Sequence, residues 1–230
     1  MSSSDTPDTD VTEAEAVEVD ELREGVVARL REVLGDGVVE HHIVPNCDVW
    51  IRIRPDAWQA AASSVRYTLG ARQFGFLSAI DWQPSPWRRY MDSEVDKAVH
   101  GDEPKPLPEM TTGYAGGETR FQVFARVANI IEHWGVTLKV DAGDTDPAVD
   151  TWTKVYAGAD WHERETWEMF GVRFEGHPFL RNIYLPSGFE GNPLRKDYPL
   201  LSRFTKPWPG IVDVEPMPGT DEEPSSEEGA

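Results

Sequence analysis

Residues 159–200, ADWHERETWEMFGVRFEGHPFLRNIYLPSGFEGNPLRKDYPL, concentrate the side chains of this sequence that could do chemistry. The segment contains two histidines, several carboxylates and many aromatic rings. Three kinds of site use such residues: a metal centre, an acid–base pair and a surface that binds another molecule. The spacing of the residues distinguishes these three.

A metal centre would need several ligands at a recognised spacing. The segment supplies ligand types at His162, Glu163, Glu165, His177 and Asp197. Neither histidine has a second histidine four residues away, which is the spacing of a zinc site on a helix. The sequence therefore disfavours a metal site, and we expect the chain to bind no metal.

Acid–base catalysis would need two titratable groups that face each other. Glu163 and Glu165 are two residues apart, so on a helix they point to different sides. The spacing of Asp160 and Glu163 predicts instead an N-cap and capping box, which is a structural role. Arg164 and Glu168, four residues apart, are spaced as a surface ion pair. With no nucleophile nearby, the sequence disfavours catalysis by this chain alone.

A binding surface agrees better with the composition of the segment. Arginine and aromatic residues are enriched at the cores of protein interfaces, and both are frequent here. Repeated prolines prevent long helices and disfavour central strands, at Pro178, Pro186, Pro193, Pro199, Pro207 and Pro209. The sequence therefore predicts an extended arm, whose aromatic rings pack either on their own domain or on a partner.

The elements before the arm predict an α+β domain with a mostly antiparallel sheet and flanking helices. Apolar spacing indicates helices at 19–34, closed by Gly35, and at 56–69, with Pro55 in the first turn. Period-two alternation indicates a half-buried strand in DVWIRIRP, and further strands in FGFLSAIDW, TRFQVFARVAN and GVTLKVDAG. Two short helices follow, one ending near Gly158 and one ending at Gly171.

The domain organisation follows from charge and composition. The formal net charge of −19 belongs mainly to the two ends, which are rich in Ser, Asp, Glu and Pro. We expect disordered acidic tails at 1–18 and 218–230, an α+β domain at 19–158, and a short helix plus docking arm at 159–217. A Pro- and Gly-rich loop or insertion occupies about 83–117 within the α+β domain.

Several classes of function are disfavoured by composition. A polyanionic chain is a poor ligand for nucleic acid. No stretch approaches the run of about 20 apolar residues that a membrane helix needs, and the acidic N-terminus is unlike a signal peptide. Cys47 is the single cysteine, so this chain alone forms no internal disulfide and no cysteine-ligated cluster. We expect a reducing, cytoplasmic environment and membrane association only through a partner.

The motifs WHERETWEMFGVRFEGHPFLRNIYLP and FEGNPLRKDYPL closely resemble the signature of one family, the small peripheral-arm (C) subunit of the proton-pumping NADH–quinone oxidoreductase, respiratory complex I. The resemblance covers residues 20–217. The matching positions are Glu163, Arg164, Glu165, Phe170, Gly171, His177, Pro178, Arg181, Pro193, Arg195, Lys196, Asp197 and Tyr198. The family usually has Asp in place of Glu168 and a second His in place of Asn192, so a proton-transfer role at 192 is disfavoured.

The resemblance implies a non-catalytic structural subunit of a translocase that passes electrons from NADH through flavin and iron–sulfur clusters to quinone. Such a chain binds no cofactor itself, and FMN, the clusters and quinone belong to partner subunits. The implied partners are the quinone-site and terminal-cluster subunits, on the cytoplasmic side of the cell membrane. The matching residues would either dock the arm or order it. One alternative is the equivalent subunit of a membrane-bound hydrogenase-type complex, and a weaker one is a stand-alone metal or acid–base enzyme.

Overall fold

Five strands form the mixed sheet at the centre of the fold. The computed structural model describes residues 20–85 and 108–198, so both predicted tails, the end of the arm and most of the predicted insertion lie outside the described residues. The strands are β1 (Val38–His42), β2 (Val49–Ile53), β3 (Gln73–Asp81), β4 (Phe121–Asn129) and β5 (Trp134–Gly143). Their order is β1-β2-β5-β4-β3, and only the β2–β5 pair is parallel. The predicted α+β class with a mostly antiparallel sheet is confirmed.

Two helical segments supply the apolar side chains that pack on this sheet. Helix α1 (Glu21–Leu34) begins where Asp20 accepts the Arg23 N–H at 3.1 Å, and it ends at Gly35, whose φ is +54°. Helix α2 (Trp58–Ser63) lies between a short 3-10 turn and a π-helical turn, so the predicted 56–69 helix is confirmed with a tightened start and a widened end. Leu30 and Trp58 are fully buried in the core that results.

The other face of the sheet is polar, and it is more buried than alternation predicts. Arg52 is only 8% exposed and pairs with Asp141 at 3.1 Å. Lys139 donates to the Tyr114 carbonyl at 2.8 Å and lies 5.3 Å from the centre of the Trp82 ring. Burial lowers the pKa of Lys139 to about 8. These charged groups are tolerated in the interior because each has a partner.

The predicted short helix before Gly158 is wrong, and turns take its place. Strand β6 (Ala148–Asp150) pairs in parallel with β7 (Arg173–Glu175), a pairing that was not predicted. The centre of the Trp152 ring lies 4.5 Å from that of Trp58, and the Tyr156 hydroxyl donates to the Ala71 carbonyl at 2.7 Å. These two anchors direct their rings into the core at positions that the β6–β7 pairing sets, which overrides local helix propensity.

Helix α3 (Ala159–Phe170) joins the domain to the arm. It packs along the edge strand β3, where the centres of the Phe74 and His162 rings are 5.3 Å apart. Gly171 ends it in the left-handed region with φ +72°, as predicted. From Gly176 to Tyr198 the chain forms turns and irregular stretches with no helix or strand, as the prolines predict. Along the described ranges, none of the helices combines the length and apolarity needed to cross a membrane.

Candidate docking surface

Glu163 holds the root of the arm through a buried carboxylate. Its side chain has no exposed surface, and it accepts hydrogen bonds at 2.6 Å from both the Thr151 hydroxyl and the Trp152 N–H. The predicted capping box is therefore wrong, because Gly158 occupies the N-cap and Asp160 lies inside the helix. Burial, with the nearby Asp160 charge, raises the pKa of Glu163 to about 7, although its two hydrogen bonds act to lower it.

His177 lies against the same carboxylate from the other side. Its side chain is fully buried, and its Nδ1 accepts the Phe179 N–H at 3.0 Å. The neutral ring therefore carries its proton on Nε2, which lies 3.3 Å from Asp160 Oδ1 and 3.9 Å from Glu163 Oε2. The preceding Gly176 has φ +79°, so the chain reverses here and the arm begins at a fixed position.

Glu168 ties the middle of the arm to α3. Its carboxylate accepts the N–H groups of three consecutive residues, Ile183 at 2.9 Å, Tyr184 at 3.1 Å and Leu185 at 2.7 Å. Burial opposes the charge, but these backbone donors outweigh it and hold the pKa of Glu168 below its usual range. The carboxylate thus satisfies backbone groups that have no strand partner in this part of the arm.

Arg164 acts beside it, and the predicted ion pair with Glu168 is wrong. Among the described residues the carboxylate near Arg164 is that of Asp160, at 3.7 Å. The guanidinium is 7% exposed and donates from Nε to the Arg181 carbonyl at 3.2 Å. Both charged side chains that were predicted to pair on the helix surface therefore bind the backbone of the arm instead.

The predicted cluster near the end of the arm folds back onto α3. Leu194 N–H donates to the Met169 carbonyl at 3.1 Å, and Arg195 Nε donates to the Phe170 carbonyl at 2.6 Å. The Arg195 guanidinium also lies 4.9 Å from the centre of the Phe121 ring in β4. A side chain at Gly171 would meet Arg195 Nη2 at 2.5 Å, so the helix end requires glycine twice, for its φ and for this close approach.

Asp81, at the end of β3, completes the attachment. Its carboxylate accepts the Lys196 N–H at 2.8 Å and pairs with Arg120 at 2.7 Å, and Arg120 also reaches Asp197 at 3.0 Å. The hydrogen bonds from Arg120, Lys196 and Gln83 hold the pKa of Asp81 below its usual range, against the effect of burial. Sequence reasoning missed Asp81. Its signal was a carboxylate at an inward position, in register with the buried Leu77 and Ala79.

The remaining signature residues lie at the surface or line turns. The ring centre of Tyr198 lies 6.1 Å from that of Phe189. The Glu165 charge and hydrogen bond raise the pKa of the exposed Tyr184. The side chains of Arg181, Lys196, Asp197 and Pro178 are exposed, and Pro193 is half-buried. In the two described ranges no three His, Cys, Asp or Glu side chains are grouped so that they could hold a metal.

The arm directs its polar groups inward and its large apolar side chains outward. While the backbone amides and the Arg195 guanidinium bind the domain, five large apolar side chains of α3 and the arm face outward. Their exposed fractions are 62% for Trp161, 61% for Phe179, 63% for Tyr184, 37% for Phe189 and 52% for Leu194. An exposed apolar surface on a rigid support is typical of a protein-binding site.

The sequence profile of one protein family, described as respiratory-chain NADH dehydrogenase, 30 Kd subunit, matches residues 51–204. The chain belongs to this family. The matched range contains β2 to β7, α3 and the whole described arm. The family resemblance of the arm motifs is confirmed.

Relatives named as the C/D subunit of NADH-quinone oxidoreductase match part of the chain. The Yersinia pestis (strain Angola) protein is 49% identical over 132 residues, which are 57% of this chain and 21% of that protein. The Klebsiella pneumoniae protein is 49% identical over 79 residues, 34% of this chain and 13% of that protein. The chain therefore spans about a fifth or less of the length of these relatives.

A solved structure has the same fold. It is a chain of the membrane-bound sulfane sulfur reductase, an archaeal respiratory membrane complex, with a TM-score of 0.55. The two chains are 16% identical, and the match covers 77% of this chain and 86% of that one. At this identity the likeness shows the fold alone.

Proposed function

We propose that this chain is a structural subunit of the peripheral arm of a proton-translocating NADH–quinone oxidoreductase. It supports electron transfer from NADH through flavin and iron–sulfur clusters to quinone without a catalytic residue of its own. Membership of the 30 kDa subunit family supports this function. The weaker alternative of a stand-alone enzyme has no support in the geometry, because the buried carboxylates are occupied by bonds to the chain's own backbone and side chains.

The observation that carries the proposal is the inverted arrangement of the arm. A segment that served only its own domain would bury its rings, since each large ring contributes roughly 2–3 kcal/mol when it is removed from water. Here Phe179 and Tyr184 remain more than half exposed, while Glu168 and Asp81 hold the backbone beneath them. The arm is therefore pre-organised to present these rings to another protein.

We further propose that the partners are other subunits of the complex, chiefly the quinone-site subunit and the terminal-cluster subunit. The relatives carry the double letter C/D in their name, which joins two subunits in one polypeptide, and the matched segment is about a fifth of it. Regions that function in contact are natural candidates for such a joined polypeptide. FMN, the clusters and quinone would belong to these partners, and the complex would hold this chain at the cytoplasmic side of the membrane.

The proposal is tested by purifying the complex through an affinity tag on this chain. We expect NADH dehydrogenase subunits to co-purify and the preparation to reduce quinone with NADH. A preparation that contains cluster-bearing partners but does not oxidise NADH would favour the hydrogenase-type alternative. If no oxidoreductase subunit is recovered with the wild-type chain, the proposed function is wrong.

The role of the arm is tested by Arg195→Glu combined with Tyr198→Ala, against Arg173→Glu as a control. Arg195 and Tyr198 order the end of the arm, whereas Arg173 is an exposed arginine of β7. We expect the double variant to lose at least about tenfold of the co-purified partners, because a displaced arm removes several interface anchors at once. Unchanged assembly and NADH–quinone activity in the double variant would contradict a docking role.

A further inference from the structure

One part of the arm forms a continuous surface with α3. The Arg164 guanidinium lies 5.1 Å from the centre of the Trp161 ring, and Arg164 Nε donates to the Arg181 carbonyl. The Arg181 guanidinium in turn lies 5.0 Å from the centre of the Phe179 ring. Trp161, Phe179 and Arg181 are thus linked by direct contacts, and we call them the Trp161 patch.

The patch is exposed, yet its support is rigid. Trp161 and Phe179 are 62% and 61% exposed. Beneath them, Arg164 is buried, and the Phe179 N–H is bound to the buried His177 ring. Large rings that are held in place before binding lose little conformational entropy in a complex, which is the property of interface hot spots. The patch therefore has the character of an anchor.

The patch also has unused hydrogen-bond donors. Within the described ranges, no carboxylate lies within 4.0 Å of the Arg181 guanidinium, and the Trp161 indole N–H has no hydrogen-bond partner. Arg173 is a useful contrast, because it is also exposed and pairs with Asp146 at 3.3 Å and Glu175 at 3.5 Å. In a chain with a formal charge of −19, Arg181 is a local positive group set between exposed rings.

We propose that the Trp161 patch anchors the docking surface, and that the partner protein meets it with an apolar pocket edged by carboxylates. This inference rests on the proposed function, since it specifies the partner chemistry of the same surface. An arginine stacked on an aromatic ring still presents its planar fork, which binds a carboxylate through two parallel hydrogen bonds. Because the chain as a whole repels acidic surfaces, this local complementarity would set where the partner attaches.

The test compares charge variants of the full-length chain within the complex. The tagged chain replaces the cell's own copy, membranes are solubilised, and co-purified subunits are quantified by mass spectrometry. Arg181→Glu should lower partner recovery at least about tenfold, because it sets a carboxylate against carboxylates. Arg181→Lys, which keeps the charge, should cost at most about threefold. Arg173→Glu, the matched surface arginine outside the patch, should recover partners like the wild type.

A second variant separates the rings from the charge. Trp161→Ala adds no charge and should lower partner recovery about tenfold, as expected for a truncated hot spot. The melting temperature of each purified full-length variant should equal that of the wild type, because the altered side chains are exposed. Wild-type recovery with Arg181→Glu overturns the anchor, and equal losses for Arg181→Lys and Arg181→Glu overturn the carboxylate partner. Either result leaves the proposed function standing if the wild-type chain itself recovers NADH dehydrogenase subunits.

Discussion

The sheet core and the arm are both rich in aromatic side chains, but they place them on opposite sides of the surface. In the core, Phe121, Trp152 and Tyr156 are at most 1% exposed. In the arm, Phe179 and Tyr184 are more than 60% exposed. The difference follows from how each region satisfies its backbone. Strands bond to one another, which leaves their side chains free to fill the core, whereas the arm takes its bonds from carboxylates of the domain.

The comparison indicates that polar anchoring, rather than apolar burial, positions the arm. Glu168 and Asp81 are carboxylates of the domain that accept backbone N–H groups of the arm. Charge-assisted bonds of this kind are directional, so they fix orientation as well as position. An arm held in this way can keep its rings available for a partner. The following predictions test this difference, from the largest expected effect to the smallest.

Phe121→Ala should have the largest effect on the stability of the chain. Phe121 is fully buried in β4, so truncation removes its transfer free energy and leaves a cavity. We expect the free energy of unfolding to fall by about 4 kcal/mol, measured by chemical denaturation of the full-length chain. A loss no larger than that of an exposed aromatic would contradict the division between core and arm.

Asp81→Ala should come next, because it breaks the attachment of the end of the arm. The variant leaves Arg120 without its buried partner and removes the acceptor of the Lys196 N–H. Removing one member of a buried pair costs about 3 kcal/mol or more. We expect this loss in chemical denaturation, together with faster hydrogen exchange at Lys196.

Asp56→Ala is the control for that change, since Asp56 forms an exposed pair with Arg54. Exposed pairs contribute at most about 1 kcal/mol. If Asp81→Ala and Asp56→Ala have the same effect, the polar attachment of the arm is not significant.

Glu163 should give the root of the arm a stability that falls as pH rises. Its folded pKa of about 7 lies above the ordinary value of 4.5, so the folded state binds this proton more tightly than the unfolded state. The resulting stabilisation is full below pH 4.5 and is lost as pH rises through 7. Between roughly pH 5.5 and pH 8 we expect a loss of about 2 kcal/mol.

The contribution of Glu163 is isolated by comparing the wild type with Glu163→Gln across this pH range. The amide does not titrate, so the difference in unfolding free energy between the two proteins should change with pH. Glu165→Gln removes the same charge from the same helix and serves as the control. A pH-independent difference for Glu163→Gln would show that the buried carboxylate keeps an ordinary pKa.

Phe179→Ala should have the smallest effect on the isolated chain. Phe179 is 61% exposed, and surface substitutions away from special contacts change stability by at most about 0.5 kcal/mol. It forms a matched pair with Phe121→Ala, because the same ring is removed from the outside rather than from the core. A loss near that of Phe121→Ala would mean that the arm is held by burial of its rings.

The periodic elements of the fold could be predicted from the sequence. The pattern of Val49, Ile51 and Ile53 predicts β2, and all three side chains are buried. Gly35 and Gly171 mark helix ends at which the chain has positive φ. Such signals are local, since they depend on the period of a helix or strand and on the freedom of glycine. The predicted helix at 151–158 failed because packing of Trp152 and Tyr156 in the core outweighed local propensity.

The sequence by itself determined the α+β class, the extended arm and the motifs that place the chain in its family. The tertiary structure decided what the charged residues do. Glu163 looks like a capping residue in sequence, but its partners follow a short parallel strand that local patterns did not predict. Asp81 and Lys196 are 115 residues apart and meet only because the arm returns to the sheet edge. A buried carboxylate acquires its role from the donors that the fold brings to it, and such long-range partners leave no periodic signal in the chain.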